Sequence, residues 1–416
     1  METKITSSPD FVIRPLKSSA EVENFFLLNA EVFRRHDDVA TIAIKYRQFI
    51  TEAPHFRPDQ LRGAFLGSTY LGGYFIPKLV VCMGSTQLDI SGIGEVTTHP
   101  DYRHKGIATA LMQDGINYAI HHQHALLLLD GIADFYHRFG YVNIFKTPKH
   151  IIVSEDILAH PASPYPVRPA TFDDIPDLLA LYQRHYRSYS GCFTRTYQQQ
   201  RHLLNHQLHF LVMNLDNEPC GYLILYERPV GNYYVMEVAA DNWPAALALL
   251  QHHIRFVGTN SDSPKEIQWP LPLNSLTFYI LTDNLSLRSE TDHHLNGKWM
   301  ARPAHLPTLF RSLPPLWQEH LQRYKLAWSG TLALTIDDST CYFEVNSAGI
   351  HIVEHPSNHV HEVKLSPQVF TQLLFGYRSI TWAIHQPEQQ IPNELIPLLT
   401  ILFAQEPFWI PGSNSF

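Results

Sequence analysis

The sequence predicts an α/β chain, α+β within each unit, organised as three successive units. Three observations lead there. Residues 96–108 (Val-Thr-Thr-His-Pro-Asp-Tyr-Arg-His-Lys-Gly-Ile-Ala) read as a strand end, a tight cationic turn and the start of a helix, and a short apolar run at 125–129 follows. The opening Val12-Ile-Arg-Pro-Leu is echoed by Pro166-Val-Arg-Pro-Ala, a duplication too long for a short-period solenoid. Residues 291–416 change to short alternating segments such as Leu332, Leu334 and Ile336. The expected units are 1–160, 165–290 and 291–416, with the proline-rich stretch 160–166 as the first linker.

In chain order, residues 11–15 read as a first strand. Residues 21–34 read as a helix with Val22, Phe25, Phe26, Ala30 and Phe33 on its apolar side, and 40–50 as a second. Gly67-Ser68-Thr69 between apolar runs marks a hairpin over 61–76. Strands are expected at 79–83 and 90–98, the latter running into the cationic turn. Ala108, Met112, Ile116, Ala119 and Ile120 form one helical stripe after the turn. The run 125–129 reads as a strand buried on both faces, hence one of a parallel pair. Asp130-Gly131 ends it, and residues 134–140 read as an aromatic-rich helix closed by Gly140. In the second copy, 233–238 read as a strand and Asn242-Trp243-Pro244 as a helix start, with no cationic turn. In the third unit, Ser366-Pro367 caps a helix through Leu374, closed by Gly376.

The turn is an anion cradle. Gly106 admits close backbone approach. The first N–H groups of the helix point at one spot, which the helix dipole makes favourable for negative charge. Arg103, His104 and Lys105 add cations, so a pyrophosphate suits the site.

Composition narrows the classes. A net charge of −8 argues against a general nucleic-acid binder and would suit a cationic substrate. The four cysteines are scattered without a CxxC, which fits free thiols in a reducing compartment, and the expected location is cytoplasmic. The first ten residues lack the apolar core of a signal peptide, and no apolar run is long enough to span a membrane. Histidines are abundant, but without HExxH or Cys/His spacing no metal site is expected.

Arg-x-x-Gly-x-Ala at Arg103, Gly106 and Ala108, followed by Phe-Tyr-x-x-Phe-Gly-Tyr at 135–141, resembles the acyl-CoA core of the GNAT N-acetyltransferases. The whole chain resembles the enhanced intracellular survival (Eis) acetyltransferases. Those join two tandem GNAT-type domains to a sterol-carrier-type domain and end in a phenylalanine whose carboxylate takes part in catalysis. This sequence ends in Phe416, and Trp299-Met300-Ala301-Arg302-Pro303 resembles the family's entry into the third domain.

The resemblance implies an acetyl-CoA-dependent N-acetyltransferase acting on a primary amine of a small cationic molecule, aminoglycoside-like or polyamine-like, or on a lysine side chain. A longer-chain acyltransferase and a non-catalytic CoA- or lipid-binding protein are the alternatives. Acetyl-CoA would lie on the backbone of Val96, Thr97 and Thr98, on the turn of Arg103, His104, Lys105, Gly106, Ile107, Ala108 and Thr109, and near Gly131 and Ile132. Tyr136 is implied as general acid and the Phe416 carboxylate as general base, with Glu95 and His99 as fallback bases. Glu31, Asp37 and Asp38 would lie near the acceptor. The second domain would be structural, and the assembly a hexamer built from dimers.

Overall fold

The computed structural model describes residues 11–34, 38–228, 232–258, 264–356 and 359–414. The chain opens with β1 (Val12–Pro15), α1 (Ser19–Phe33) and α2 (Val39–Thr51). Ser18 caps α1, and Arg14 grips Glu21 in its first turn at 2.9 Å. Asp38 caps α2 by accepting from the Thr41 N–H, so its role is structural. The expected hairpin is β2 (Leu61–Leu66) and β3 (Thr69–Phe75), followed by β4 (Lys78–Met83). The segment expected as one strand over 90–98 is longer and broken: β5 (Thr86–Gly92) and β6 (Gly94–Thr98).

Helix α3 (Ile107–His121) buries Ile107, Leu111, Met112, Ile116 and Ala119, while Ile120 is 41% exposed, so the buried stripe is turned slightly from the expected one. Asp114 fixes the helix to the hairpin by accepting from Arg62 and from the Tyr74 hydroxyl, both at 2.6 Å. Strand β7 (Leu126–Gly131) is buried and parallel to β5, as its apolar run predicts. The expected aromatic helix is instead a single 3-10 turn, Tyr136–Phe139, ended by Gly140 at φ 82°. Strands β8 (Val142–Asn143) and β9 (Pro148–Val153) and helix α4 (Ser154–Ala159) follow.

The second unit repeats the order: β10 (Val167–Pro169), α5 (Ile175–Tyr186), α6 (Tyr197–His206), β11 (Leu208–Met213), β12 (Pro219–Arg228), β13 (Asn232–Ala240) and α7 (Trp243–Gly258). Arg168 grips Asp174 as Arg14 grips Glu21, which is the physical content of the repeated Arg-Pro. Strand β14 (Glu266–Trp269), helix α8 (Leu276–Asn284) and strand β15 (Arg288–Thr291) complete it.

Strand pairing crosses the expected boundaries. β9 inserts between β14 and β15 of the second unit. Strand β16 (Lys298–Pro303), placed in the third unit by the sequence, inserts between β7 and β8 of the first. The first unit thus gives β9 to the second and receives β16 from the stretch assigned to the third, whose own sheet and helices begin only after residue 303. After β16 come α9 (Leu306–Tyr324), the sheet β19-β18-β17-β20, and three helices. The sheet strands are β17 (Gly330–Ile336), β18 (Ser339–Asn346), β19 (Gly349–Val353) and β20 (Val360–Leu365). The helices are α10 (Pro367–Leu374), α11 (Ile380–Ala383) and α12 (Ile396–Leu402). One buried cluster runs through all three units and includes Val81, Tyr182, Trp317, Leu334 and Trp409.

Candidate active site

The site begins where β5 becomes β6. Through Gly92 the strand pairs with β7, at Gly92↔Leu128. Glu95 then takes φ +55°, and β6 pairs only with β3 on its far side. From there β6 and β7 part. The edge of β6 facing β7 pairs with no strand among the described residues, and β7 beyond Leu128 pairs only with β16, on its other side. Unpaired strand edges in a protein interior require hydrogen-bonding partners. The buried Thr98 hydroxyl at this edge also has none among the described residues. Val96, Thr97 and Thr98 form one side of the slot between the strands, with their outward backbone groups along it.

At the end of the slot lies the turn. His104 and Gly106 take positive φ, +61° and +80°, which curls the backbone so that successive N–H groups converge. The N–H groups of residues 104–109 meet no acceptor among the described residues; the first bonded amide of the helix is Ala110, to Gly106. A Cβ on Gly106 would meet nothing within 4 Å, so the space over it is open to a ligand. Arg103, His104 and Lys105 are exposed around it, and the Lys105 ammonium sits 4.8 Å over the Tyr102 ring. Arg103, His104, Lys105, Gly106, Ile107, Ala108 and Thr109 are therefore brought together as one anion cradle at the start of α3.

Tyr136 lies at the C-terminal end of β7. Its ring is pressed on the backbone of Gly131, where an added Cβ would come within 2.2 Å of the ring. It also makes edge contacts with Phe135 and Tyr141. Burial, and then the nearby Asp130 charge, push its phenol up to about 12, so it is a proton donor at any physiological pH. Ile132 is 68% exposed at the slot mouth.

Glu95, expected from the sequence only as a fallback base, stands at the root of the fork. It lines a cavity of about 670 Å³ walled by α1 and α2 of the first unit and by α6, β12 and β13 of the second. Its Oε2 is buried and has no hydrogen-bond partner among the described residues. Burial pushes its carboxyl up to about 7, against the opposing pull of Arg34. Arg34 donates to the Tyr46 hydroxyl at 3.2 Å in the same wall. A bulge immediately before a ligand-binding edge re-aims a side chain, but this one shows in the backbone and the strand register and not in the local sequence. His99 instead accepts from the Asp101 N–H and caps a short turn.

In the second unit the corresponding slot is filled. The Thr277 hydroxyl of α8 bonds both the N–H and the carbonyl of Ala240 at the end of β13. Helix α7 starts under an Asn242 cap, with Trp243 and Pro244 in place of a glycine cradle. The tail docks beside it. Phe408 pairs with Ser190, and Trp409 and Ile410 are buried. Ser413 donates to Glu237, and Arg195 donates to Ser413 and Asn414 at 3.0 Å. Phe416 and Asp37 lie outside the described residues.

An open strand fork, an N–H cradle beyond one end, a partly buried phenol and a partly buried carboxyl facing a cavity are thus gathered on the first unit. Residues 12–143 match the Acetyltransferase (GNAT) domain family, so the first unit carries a GNAT-type domain and the protein is an acyltransferase enzyme. No curated protein matches the sequence. In fold, the chain is similar to a GCN5-related N-acetyltransferase from Anabaena variabilis (TM-score 0.72, 16% identity, covering 98% of this chain and 100% of that one). It is also similar to a probable N-acyltransferase from Enterococcus faecalis (TM-score 0.70, 18% identity, 98% and 100%). Eis1 from Mycobacterium abscessus aligns at TM-score 0.63 and 17% identity over 97% and 100%. Among the described residues no cluster of metal-ligating side chains occurs, and no helix is long and apolar enough to cross a membrane.

Proposed function

We propose that the protein transfers an acetyl group from acetyl-CoA to the amine of a small molecule or a lysine side chain, with Glu95 as the base and Tyr136 as the acid. The observation that carries this reading is the Glu95 carboxyl facing a cavity at the root of the fork, its Oε2 buried without a hydrogen-bond partner among the described residues and its pKa raised by burial. The cradle of residues 103–109 takes the pyrophosphate, and the β6 edge takes the pantetheine amides. Held so, the thioester is oriented, which supplies up to roughly 7–11 kcal/mol in favourable cases.

An alkylamine of pKa about 10.4 is mostly protonated at neutral pH. Glu95, at about 7, is a far stronger base than an ordinary carboxylate and takes the amine proton as the C–N bond forms. Tyr136 gives its proton to the departing thiolate. Tyr136→Phe then binds acetyl-CoA normally and loses about 10²–10³ in turnover; full thiol release by that variant refutes the assignment.

A carboxylate at Phe416 is a second reading for the base. It is favoured by the docking of the tail as far as Asn414, which lines a smaller cavity sharing Phe49 and Ile50 with the acceptor cavity. A carboxy-terminal tag that abolishes turnover while Glu95→Gln spares it would select that reading. The family resemblance further supports a sterol-carrier-type third unit and a hexamer, the latter checked by sedimentation, and the free, scattered cysteines support a cytoplasmic location.

A further inference from the structure

We propose that the acceptor is an amine that also carries an anionic group, with the amine set at Glu95 and the anion held by Lys45. The inference rests on the function proposed above and specifies its acceptor. The overall charge of −8 would favour a polycation, but the cavity does not share that balance.

Its described charged walls are Arg34 at the end of α1, Lys45 on α2, Glu95 on β6 and Glu227 on β12. His206 of α6 is turned toward Glu52, 3.5 Å away. The remaining titratable groups facing in are the phenols Tyr46, Tyr226 and Tyr234. Burial holds Glu95 partly neutral near pH 7, so two fixed cations face one fixed carboxylate. A second ammonium on the acceptor would meet Lys45 and Arg34. A carboxylate would meet opposite charge.

Lys45 is the free member of this set. Its ammonium has no ion-pair or hydrogen-bond partner among the described residues, and it stands exposed on the outer part of the wall. Arg34 is engaged with Tyr46. The Tyr and Phe49 rings between the two ends offer flat surface for the body of the acceptor. An ammonium that meets an incoming carboxylate forms a charge-assisted bond, whereas a carboxamide at the same place forms a weaker neutral one.

The test uses three probes with the same primary amine: Nα-acetyl-lysine, Nα-acetyl-lysinamide and cadaverine. Each is titrated calorimetrically into the full chain saturated with CoA. The carboxylate probe is expected to bind roughly tenfold tighter than the amide, the size of one charge-assisted bond, with cadaverine weakest. Lys45→Gln should abolish the preference and Lys45→Glu reverse it, with CoA affinity unchanged in both. Equal or tighter binding of cadaverine by the parent protein, or an order unmoved by Lys45→Glu, overturns the proposal. Weaker CoA binding by Lys45→Glu would assign Lys45 to the cofactor and also overturn it. The catalytic reading fails separately: if the binding order holds but no probe supports thiol release from acetyl-CoA, the acceptor site stands and the enzyme assignment falls.

Discussion

Replacing Glu95 by Gln should make the protein less active and more stable, with the stability gain appearing only as pH rises. The carboxyl is pushed from the ordinary 4.5 to about 7 by burial. A carboxyl whose folded pKa lies above its unfolded one binds protons more tightly in the fold, so folding stability falls as pH climbs between the two values. Ionising Glu95 inside the fold costs about 3 kcal/mol relative to the unfolded chain. Gln has nearly the same shape and no charge to desolvate. At about pH 4, below the unfolded value, the two proteins should unfold alike; by about pH 8 the variant should be more stable by up to about 3 kcal/mol. Over the same range the parent's kcat/KM should rise through an apparent pKa near 7, and the variant should lose about 10²–10⁴-fold in turnover. Denaturation and thiol-release assays on both proteins at several pH values decide it. A stability difference that does not grow with pH would show that Glu95 is not held in a desolvating site. A parent rate flat across pH 7 would remove it as the base.

Gly131→Ala should cripple turnover, because its Cβ would displace the Tyr136 ring; unchanged turnover would show that the ring's position is immaterial. Gly106→Asp should weaken CoA binding severely by placing a negative charge in the cradle, at an added backbone cost of about 1–2 kcal/mol for a side chain at φ +80°; unchanged affinity in a folded protein would refute the cradle. Arg195→Met should cost about 3–5 kcal/mol, since Glu237 is left buried and unpaired. It should also expose the tail to proteolysis, and equal resistance in the variant would show that the Ser413 and Asn414 contacts do not hold it.

The parts of the site that could be read in the sequence are those made by neighbours along the chain. The cradle is legible because Arg103, Gly106 and the start of α3 are consecutive and each acts through local backbone geometry. The buried run of β7 and the Ser366 cap are legible for the same reason. Residues 134–140 make only a 3-10 turn instead of the expected helix because Asp134 and Gly140 both take left-handed φ, +58° and +82°, and so bound the segment at both ends. Glu95 shows the other limit. Its environment is built by α6, β12 and β13, which approach from the second unit, and nothing local distinguishes it from a solvated carboxylate at a strand bulge. The same limit hides β16: Trp299-Met300-Ala301 is a short apolar strand that would pair with any open edge, and only the tertiary fold shows that the edge belongs to β7.

The crossing of β9 and β16 bears on how the chain is made. On a ribosome the first unit emerges complete in sequence up to residue 160, yet β7 and β8 stay unjoined until residues 298–303 follow. Closing those long-range pairings is slow, and the open edges are exposed to association meanwhile. Production of residues 1–160 alone should therefore give a sticky, poorly structured fragment. Separately synthesised halves should become soluble only when mixed, each supplying the strand the other lacks. The acyl-transfer fork, whose β7 wall is held from behind by β16, can become rigid only after most of the protein has been translated.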